Sequence, residues 1–436
     1  MRRFKIEKAD AFVEWLYKRR RIVTLLLLVL SAVTCVIFFG IQTGDSVRYL
    51  KLANNISQGL GFSAATSAPY YPEVFRTPLY PYFLALFIKF GVGVYGITII
   101  QVSLYFLAVL IVGKIALVIT NDRLVALLAT LIPVAYLPIV RWTVAIHTEV
   151  LCAFLFCSAC LCFLYFLTAP TWKYTFALGL LLAGQFLTRP PYFALFPIVA
   201  ITGALYHYRP GRLKYSITLI AMLSLTTLSW GWRNVTALSG AFQPFGVGSG
   251  MALFQSAVEI QEPNIGKRDA LIYNNPDHLM VVGGSNPLQM LESDRRLKQV
   301  AMDTLRGRWL DFAKRTVFLI VWRQWIEAFD QRLPRALILL VATISGTLLI
   351  LAYIGVFVAS KNNLLALSLA PLCFAICVSQ SLFIQTARYT APVRPILYIF
   401  SSVAIVRLIR KLRKWLEGKG CIEKGKDALK EADGFE

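Results

Sequence analysis

From Ile22 to Ile41 the sequence reads IVTLLLLVLSAVTCVIFFGI, an uncharged run of 20 residues. As a helix it spans about 30 Å, the thickness of a bilayer's hydrocarbon core. Hydrocarbon offers no hydrogen bonds, so a backbone placed there must satisfy itself, as a helix or a closed barrel. Barrel strands alternate polar and apolar residues over about ten positions. Here the runs are continuous, rich in Leu, Ile, Val and Phe, and repeated along a chain that is 57% hydrophobic and 16% charged. We read further spans at 94–119, 123–141, 147–168, 173–188, 191–206, 215–231, 335–358, 364–385 and 390–408. The expected fold class is an all-α polytopic membrane protein with about ten transmembrane helices, amphipathic helices on the outer face and one large outer loop. The short pair 173–188 and 191–206 also reads as a hairpin that does not fully cross. The first run is long enough to remain as a signal anchor.

The net charge of +22 invites a nucleic-acid reading, but the cations sit where topology puts them. Arg2, Arg3, Lys5 and Lys8 precede the first run, and Lys18 to Arg21 abut it. Arg407, Arg410, Lys411, Arg413 and Lys414 follow the last. Such clusters orient helices and touch anionic headgroups, so membrane lipids are expected partners and nucleic acid is not. The positive-inside rule places both termini in the cytoplasm and puts Arg123, Lys361 and the group Arg209, Arg212 and Lys214 in inner loops. The chain then divides into a basic N-terminus (1–21), an N-terminal membrane module (22–231) with its first outer loop at 43–93, a large outer loop (232–334), C-terminal membrane helices (335–408) and a basic tail (409–436). Cys35, Cys152, Cys157, Cys160, Cys162, Cys373 and Cys377 lie within apolar runs and read as small buried hydrophobes.

The outer loops carry three helical candidates. FRTPLYPYFLALFIKFG, opening near Arg76, reads as a helix along the membrane surface. Leu291–Arg308 reads as a charged helix, and Thr316–Trp325, broken by Arg323, as a surface-docked one. Two N-x-S/T sequons, at Asn55 and Asn234, also fall on the outer side and would be glycosylated in a eukaryotic host.

On this topology the ionisable residues at span ends gather on the outer face: Asp45 with Tyr49 four positions on, Arg76, His147, Glu149, Arg189, Arg233 and Arg388. Each has a plainer role. Arginines at helix ends snorkel to headgroups. Glu149 complements a helix dipole. Asp45 caps a helix, and His147 serves packing. Together, two acids and several arginines at one boundary suit sugar transfer from a lipid-linked donor. An acceptor hydroxyl needs a base, and a departing lipid phosphate needs fixed cations, for which guanidinium is well shaped.

Six segments in order carry a resemblance: GDSVRYLKLANNISQGLGF, FRTPLYPYFLALF, HTEVLCAFLF, FLTRPPYFALFP, WGWRN followed by FQPFG, and RYTAPVRPILY. Over residues 20–410 the chain resembles GT-C-fold integral-membrane glycosyltransferases of the protein O-mannosyltransferase-like group, which includes aminoarabinose transferases. The resemblance implies an inverting enzyme. It would move a sugar from a polyprenyl-phosphate-linked donor to an acceptor hydroxyl on a glycan, lipid or protein, at the outer face of a bacterial inner membrane. It implies Asp45 as catalytic base and Glu149 as the second acid. It assigns Arg76, Arg189 and Arg388 to the donor phosphate, and Tyr49, Tyr80, His147, Arg233 and Tyr389 to the substrate pocket. A divalent metal is left open, since Asp45 is followed by Ser46 where many relatives have an acidic pair. A secondary transporter or lipid flippase, and a polysaccharide polymerase or O-antigen ligase, are the rival readings.

Overall fold

The computed structural model describes residues 11–41, 44–207, 211–318, 325, 334–361, 363–381 and 387–432. Arg2, Arg3, Lys5, Lys8, Arg209 and Arg323 lie outside them, as does most of the Thr316–Trp325 stretch. Every regular element among the described residues is helical. The membrane body begins with α1 (Arg20–Phe39). The segment after it holds α2 (Gly44–Ser57) and α3 (Leu79–Lys89). Then come α4 (Val94–Thr120), α5 (Arg123–Ala135), α6 (Leu137–Val144), α7 (Glu149–Thr168), α8 (Trp172–Thr188), a 3₁₀ turn at Pro190–Ala194, α9 (Leu195–Tyr206) and α10 (Leu213–Ala237).

Among the described residues, α1, α4, α7 and Arg335–Ser360 are long and apolar enough to cross a membrane singly. The span expected at 123–141 is a bent pair, α5 and α6, meeting at an angle of 63°. Pro133 lies inside α5 and Pro138 at the start of α6. Proline removes a backbone donor and clashes with the carbonyl four residues back, so a straight helix cannot run through both. Helix α6 in turn ends at Val144, and side chains satisfy the carbonyls freed there. Thr98 donates to the Val144 carbonyl (3.3 Å), Gln101 to Thr143 (3.4 Å) and Ala145 (2.8 Å), and Ser46 to Ile146 (3.1 Å). The Ile146 N–H donates in turn to the carbonyl of Ile41 (3.1 Å), just beyond α1.

The large loop folds as a helical unit: α11 (Ser249–Gln261), α12 (Ile265–Tyr273), α13 (Pro276–Gly283), α14 (Pro287–Leu305) and α15 (Trp309–Phe318). Leu291–Arg308 thus falls within and just beyond α14. The apolar centre of the unit includes Met251, Phe254, Val281, Met290 and Leu297, and takes in Val74 from between α2 and α3. The sequon asparagines serve structure. Asn55 donates to the carbonyls of Ser63 and Ala65 (2.7 and 2.8 Å), and fully buried Asn234 donates to that of Gln243 (2.7 Å).

The chain returns through α16 (Arg335–Ser360), α17 (Leu364–Ser381), a 3₁₀ turn at Ala387–Thr390 and α18 (Arg394–Ala432). Helices α16 and α18 approach so closely at Gly355 that a Cβ there would lie 1.8 Å from the Phe400 carbonyl oxygen. A small residue is what permits such a crossing in lipid. Gly355→Ala is therefore expected to cost about 1–3 kcal/mol through forced separation of the helices. A lowered Tm in detergent, relative to Ala352→Gly elsewhere on α16, checks this.

Candidate active site

The geometry begins with the exit from α1. Two residues beyond Thr43, Asp45 sits in the first turn of α2, and the next residue's hydroxyl is fixed by Ile146. Asp45 faces two guanidinium groups: Oδ1 accepts from Arg76 Nη2 at 2.6 Å and Oδ2 from Arg388 Nη1 at 2.9 Å. Arg388 bridges onward, its Nε donating to Glu149 Oε1 at 2.5 Å. Glu149, 2% exposed at the start of α7, also accepts from Arg189 Nη1 at 3.4 Å. Two acids and three arginines from five parts of the chain therefore form one connected network. Asp45 is its open end, with 28% of its side chain accessible.

Aromatic rings line the network. Arg189 lies over Tyr389 at 4.0 Å, and Arg388 stands between Trp142 and Tyr389 at 5.4 and 5.6 Å. Arg76 lies over Phe75 and Tyr49 at 4.6 and 5.2 Å. Cation–π contacts of this kind hold guanidinium planes without consuming their N–H donors. Tyr80 is placed deeper: fully buried, it meets Tyr49 edge-on at 5.0 Å and donates to Gln101 at 2.7 Å. His147 is fully buried with its ring against Trp142. Arg233 is drawn elsewhere, donating to the Glu73 carbonyl at 2.5 Å and to Asn234 Oδ1 at 2.9 Å. Arg76, expected to open the surface helix, lies in the segment before α3 and reaches Asp45 from there.

Burial works against ionisation of Asp45, but Arg76 and then Arg388 outweigh it and hold its carboxyl well below the usual carboxylate range. Burial likewise opposes the charge on Arg388, and Glu149 outweighs it, raising the guanidinium further. Both groups are charged at neutral pH.

One residue central to this arrangement is not apparent in the sequence. Glu73 lies in a Pro/Tyr-rich segment with no pattern around it, yet its side chain is completely buried. Its Oε1 accepts the N–H groups of Phe75 and Arg76 (2.7 and 3.2 Å), and its Oε2 accepts from Arg48 at 2.7 Å. Arg48 also donates to the carbonyls of Val282 and Gly284 in the large-loop unit. Glu73 thus fixes the backbone that presents Arg76 and, through Arg48, joins it to α2 and to the large-loop unit. Glu73→Gln is expected to raise the KM for an anionic donor by about tenfold or more, by loosening Arg76, with a smaller change in kcat. The charge-assisted bonds it weakens are worth roughly 1.5–3 kcal/mol each. Steady-state kinetics in donor concentration check the split.

Both Asp45 oxygens and Glu149 Oε1 are engaged by guanidinium groups. Among the described residues no three His, Cys, Asp or Glu side chains converge as a ligand set. The residues present do not fit a divalent cation in this arrangement.

The arrangement of helices is the GT-C fold of integral-membrane glycosyltransferases. Residues 75–232 match the family model described as dolichyl-phosphate-mannose-protein mannosyltransferase. The archaeal oligosaccharyltransferase of Archaeoglobus fulgidus in its apo form is similar at a TM-score of 0.53 and 16% identity, over 92% of this chain and 52% of that one. The archaeal oligosaccharyltransferase AglB from Archaeoglobus fulgidus, in complex with an inhibitory peptide and a dolichol-phosphate, matches at a TM-score of 0.50 and 16% identity, over 93% of this chain and 52% of that one. ArnT from Cupriavidus metallidurans bound to undecaprenyl phosphate matches at a TM-score of 0.41 and 12% identity, over 88% and 77%. The chain spans about half the length of the archaeal chains it matches. No curated protein matches it by sequence.

Proposed function

We propose that the chain is an inverting glycosyltransferase that moves a sugar from a polyprenyl-phosphate-linked donor to an acceptor hydroxyl at the outer face of a bacterial inner membrane. The observation that carries this reading is the Asp45–Arg388–Glu149 bridge with Arg76 and Arg189 at its ends. It places one accessible carboxylate among cations suited to a departing phosphate.

In the resting network Asp45 is a poor base, because both of its oxygens are held by arginines. A donor phosphate competes for those same guanidinium groups. As Arg76 and Arg388 turn toward it, Asp45 loses positive neighbours and gains basicity. The acceptor hydroxyl then gives its proton to Asp45 as its oxygen bonds to the anomeric carbon. The bond from that carbon to the phosphate oxygen breaks with inversion, and the arginines take up the charge left on the lipid phosphate. Glu149 holds Arg388 and Arg189 in place and so sets where that phosphate sits. The unit at 232–334 covers the site and contributes to acceptor choice, tied to α2 through Arg48. The match to a mannosyltransferase family model over 75–232, and the lipid phosphate named with the archaeal enzyme, favour a donor of this class.

The test is acceptor-dependent release of polyprenyl phosphate by purified protein supplied with polyprenyl-phosphate sugars. Release with a stereochemically inverted product supports the reading. A folded protein that binds the donor but moves it across vesicles without cleaving it would make the chain a flippase instead. Outer placement is checked by labelling a Cys introduced at exposed Gln58 or Gly283 with a membrane-impermeant maleimide.

A further inference from the structure

A second polar feature lies at the far end of the bundle. Helix α4 runs from Gln101, near the Asp45 network, to Thr120, a distance of about 28 Å at 1.5 Å per residue. Helix α18 likewise runs away from Arg394, close to Arg388. Where these two helices end their course together, a cavity of about 750 Å³ opens between α4, α5, α16 and α18. Arg407, Arg410, Lys411 and Lys414 line it, with Asp122 as the one acid of the lining.

Asp122 is already committed. Its Oδ1 caps α5 through the N–H groups of Leu124 and Val125, and its Oδ2 pairs with Arg410 at 2.7 Å. The lining therefore offers Arg407, Lys411 and Lys414 no carboxylate. Its inner wall is apolar, formed by Val125, Val358, Val403 and Val406. An occupant needs an anionic end and a hydrocarbon end, joined at the level of a membrane surface.

We propose that this cavity binds the phosphate headgroup of an anionic phospholipid, with the start of an acyl chain against the valine wall. A basic pocket between transmembrane helices matches such a headgroup in charge and depth. The chemistry is independent of the proposed sugar transfer, and none of these residues belongs to the network around Asp45.

The test uses the full chain in detergent, with bound lipid counted by native mass spectrometry after addition of phosphatidylglycerol, phosphatidylcholine or inorganic phosphate. Phosphatidylglycerol is expected to be retained at least about tenfold better than phosphatidylcholine, and millimolar inorganic phosphate not to displace it. Arg407→Gln, Lys411→Gln and Lys414→Gln alter exposed side chains, and each should weaken retention about fivefold. Ala359→Trp, which fills the cavity without changing charge, should abolish retention. If it does not fold, as judged by gel filtration, the charge variants decide alone. Lys173→Gln with Lys214→Gln removes two cations at the same end but outside the cavity, and should change retention less than twofold. Equal weakening by that control pair, retention by folded Ala359→Trp, or displacement by inorganic phosphate would each overturn the proposal.

Discussion

Asp45→Asn is expected to lower turnover by about 10²–10⁴-fold, the usual contribution of a positioned general base. Asparagine keeps the size of the side chain and one acceptor oxygen but cannot take a proton. Because the side chain is 28% accessible, losing its charge should disturb the fold far less than it disturbs chemistry. Donor binding is expected to persist or tighten, since Arg76 and Arg388 would be released from their carboxylate partner. A transport reading predicts otherwise, with movement of lipid-linked sugar surviving the substitution. The pH dependence follows from the direction of the shift. With the carboxyl held below its ordinary 3.8, Asp45 stays ionised through the neutral range. Its contribution to folded stability is present above 3.8 and lost only as pH falls through the lower folded value. In the donor complex, with the arginines engaged elsewhere, the acid limb of kcat should move to higher pH than that of kcat/KM. Rate profiles from pH 4 to 8 at saturating and low donor check this ordering.

Arg388→Ala is expected to be more damaging still, because it removes the bridge between the acids. Glu149 is almost wholly buried, and its remaining guanidinium contact in the network is Arg189 at 3.4 Å. Breaking a buried pair by deleting one partner typically costs about 3–5 kcal/mol. Transfer should be undetectable and donor affinity should fall, accompanied by a drop in Tm. Arg388→Lys separates the two effects. A lysine retains the charge but offers no planar fork, and so cannot serve Asp45 and Glu149 from separate nitrogens in the same way. It should recover much of the stability and little of the turnover. Recovery of both would mean that only net charge matters at this position.

The membrane helices were legible because hydrocarbon imposes length and composition together. The span expected at 94–119 is Val94–Thr120, and that at 335–358 is Arg335–Ser360. Where the expectation fell short, local polar chemistry decided. The run 123–141 gives no sign of its bend at Pro133 and Pro138, because its apolar character does not change there. Helix α10 continues past 231 to Ala237, where Arg233 and Asn234 bind loop carbonyls instead of ending the helix. The network itself was half visible. Its acids and arginines stand at span ends and could be gathered by topology, but which arginine meets which acid depends on how distant loops return. Glu73 carried no signal at all, since a lone acid among prolines and tyrosines resembles a solvated turn. A search for the missing acceptor of the Arg76 backbone could have raised it only once that backbone's path was known.

The satisfied break after α6 has a consequence for biogenesis. Thr143, Val144, Ala145 and Ile146 are buried, and carbonyls left unpaired there would each cost about 1–3 kcal/mol. Their partners arrive from Thr98, Gln101 and Ser46, all earlier in translation. The turn that follows α6 is therefore expected to close late, onto partners already translated, so that residues 137–168 dock on the N-terminal elements instead of forming a unit of their own.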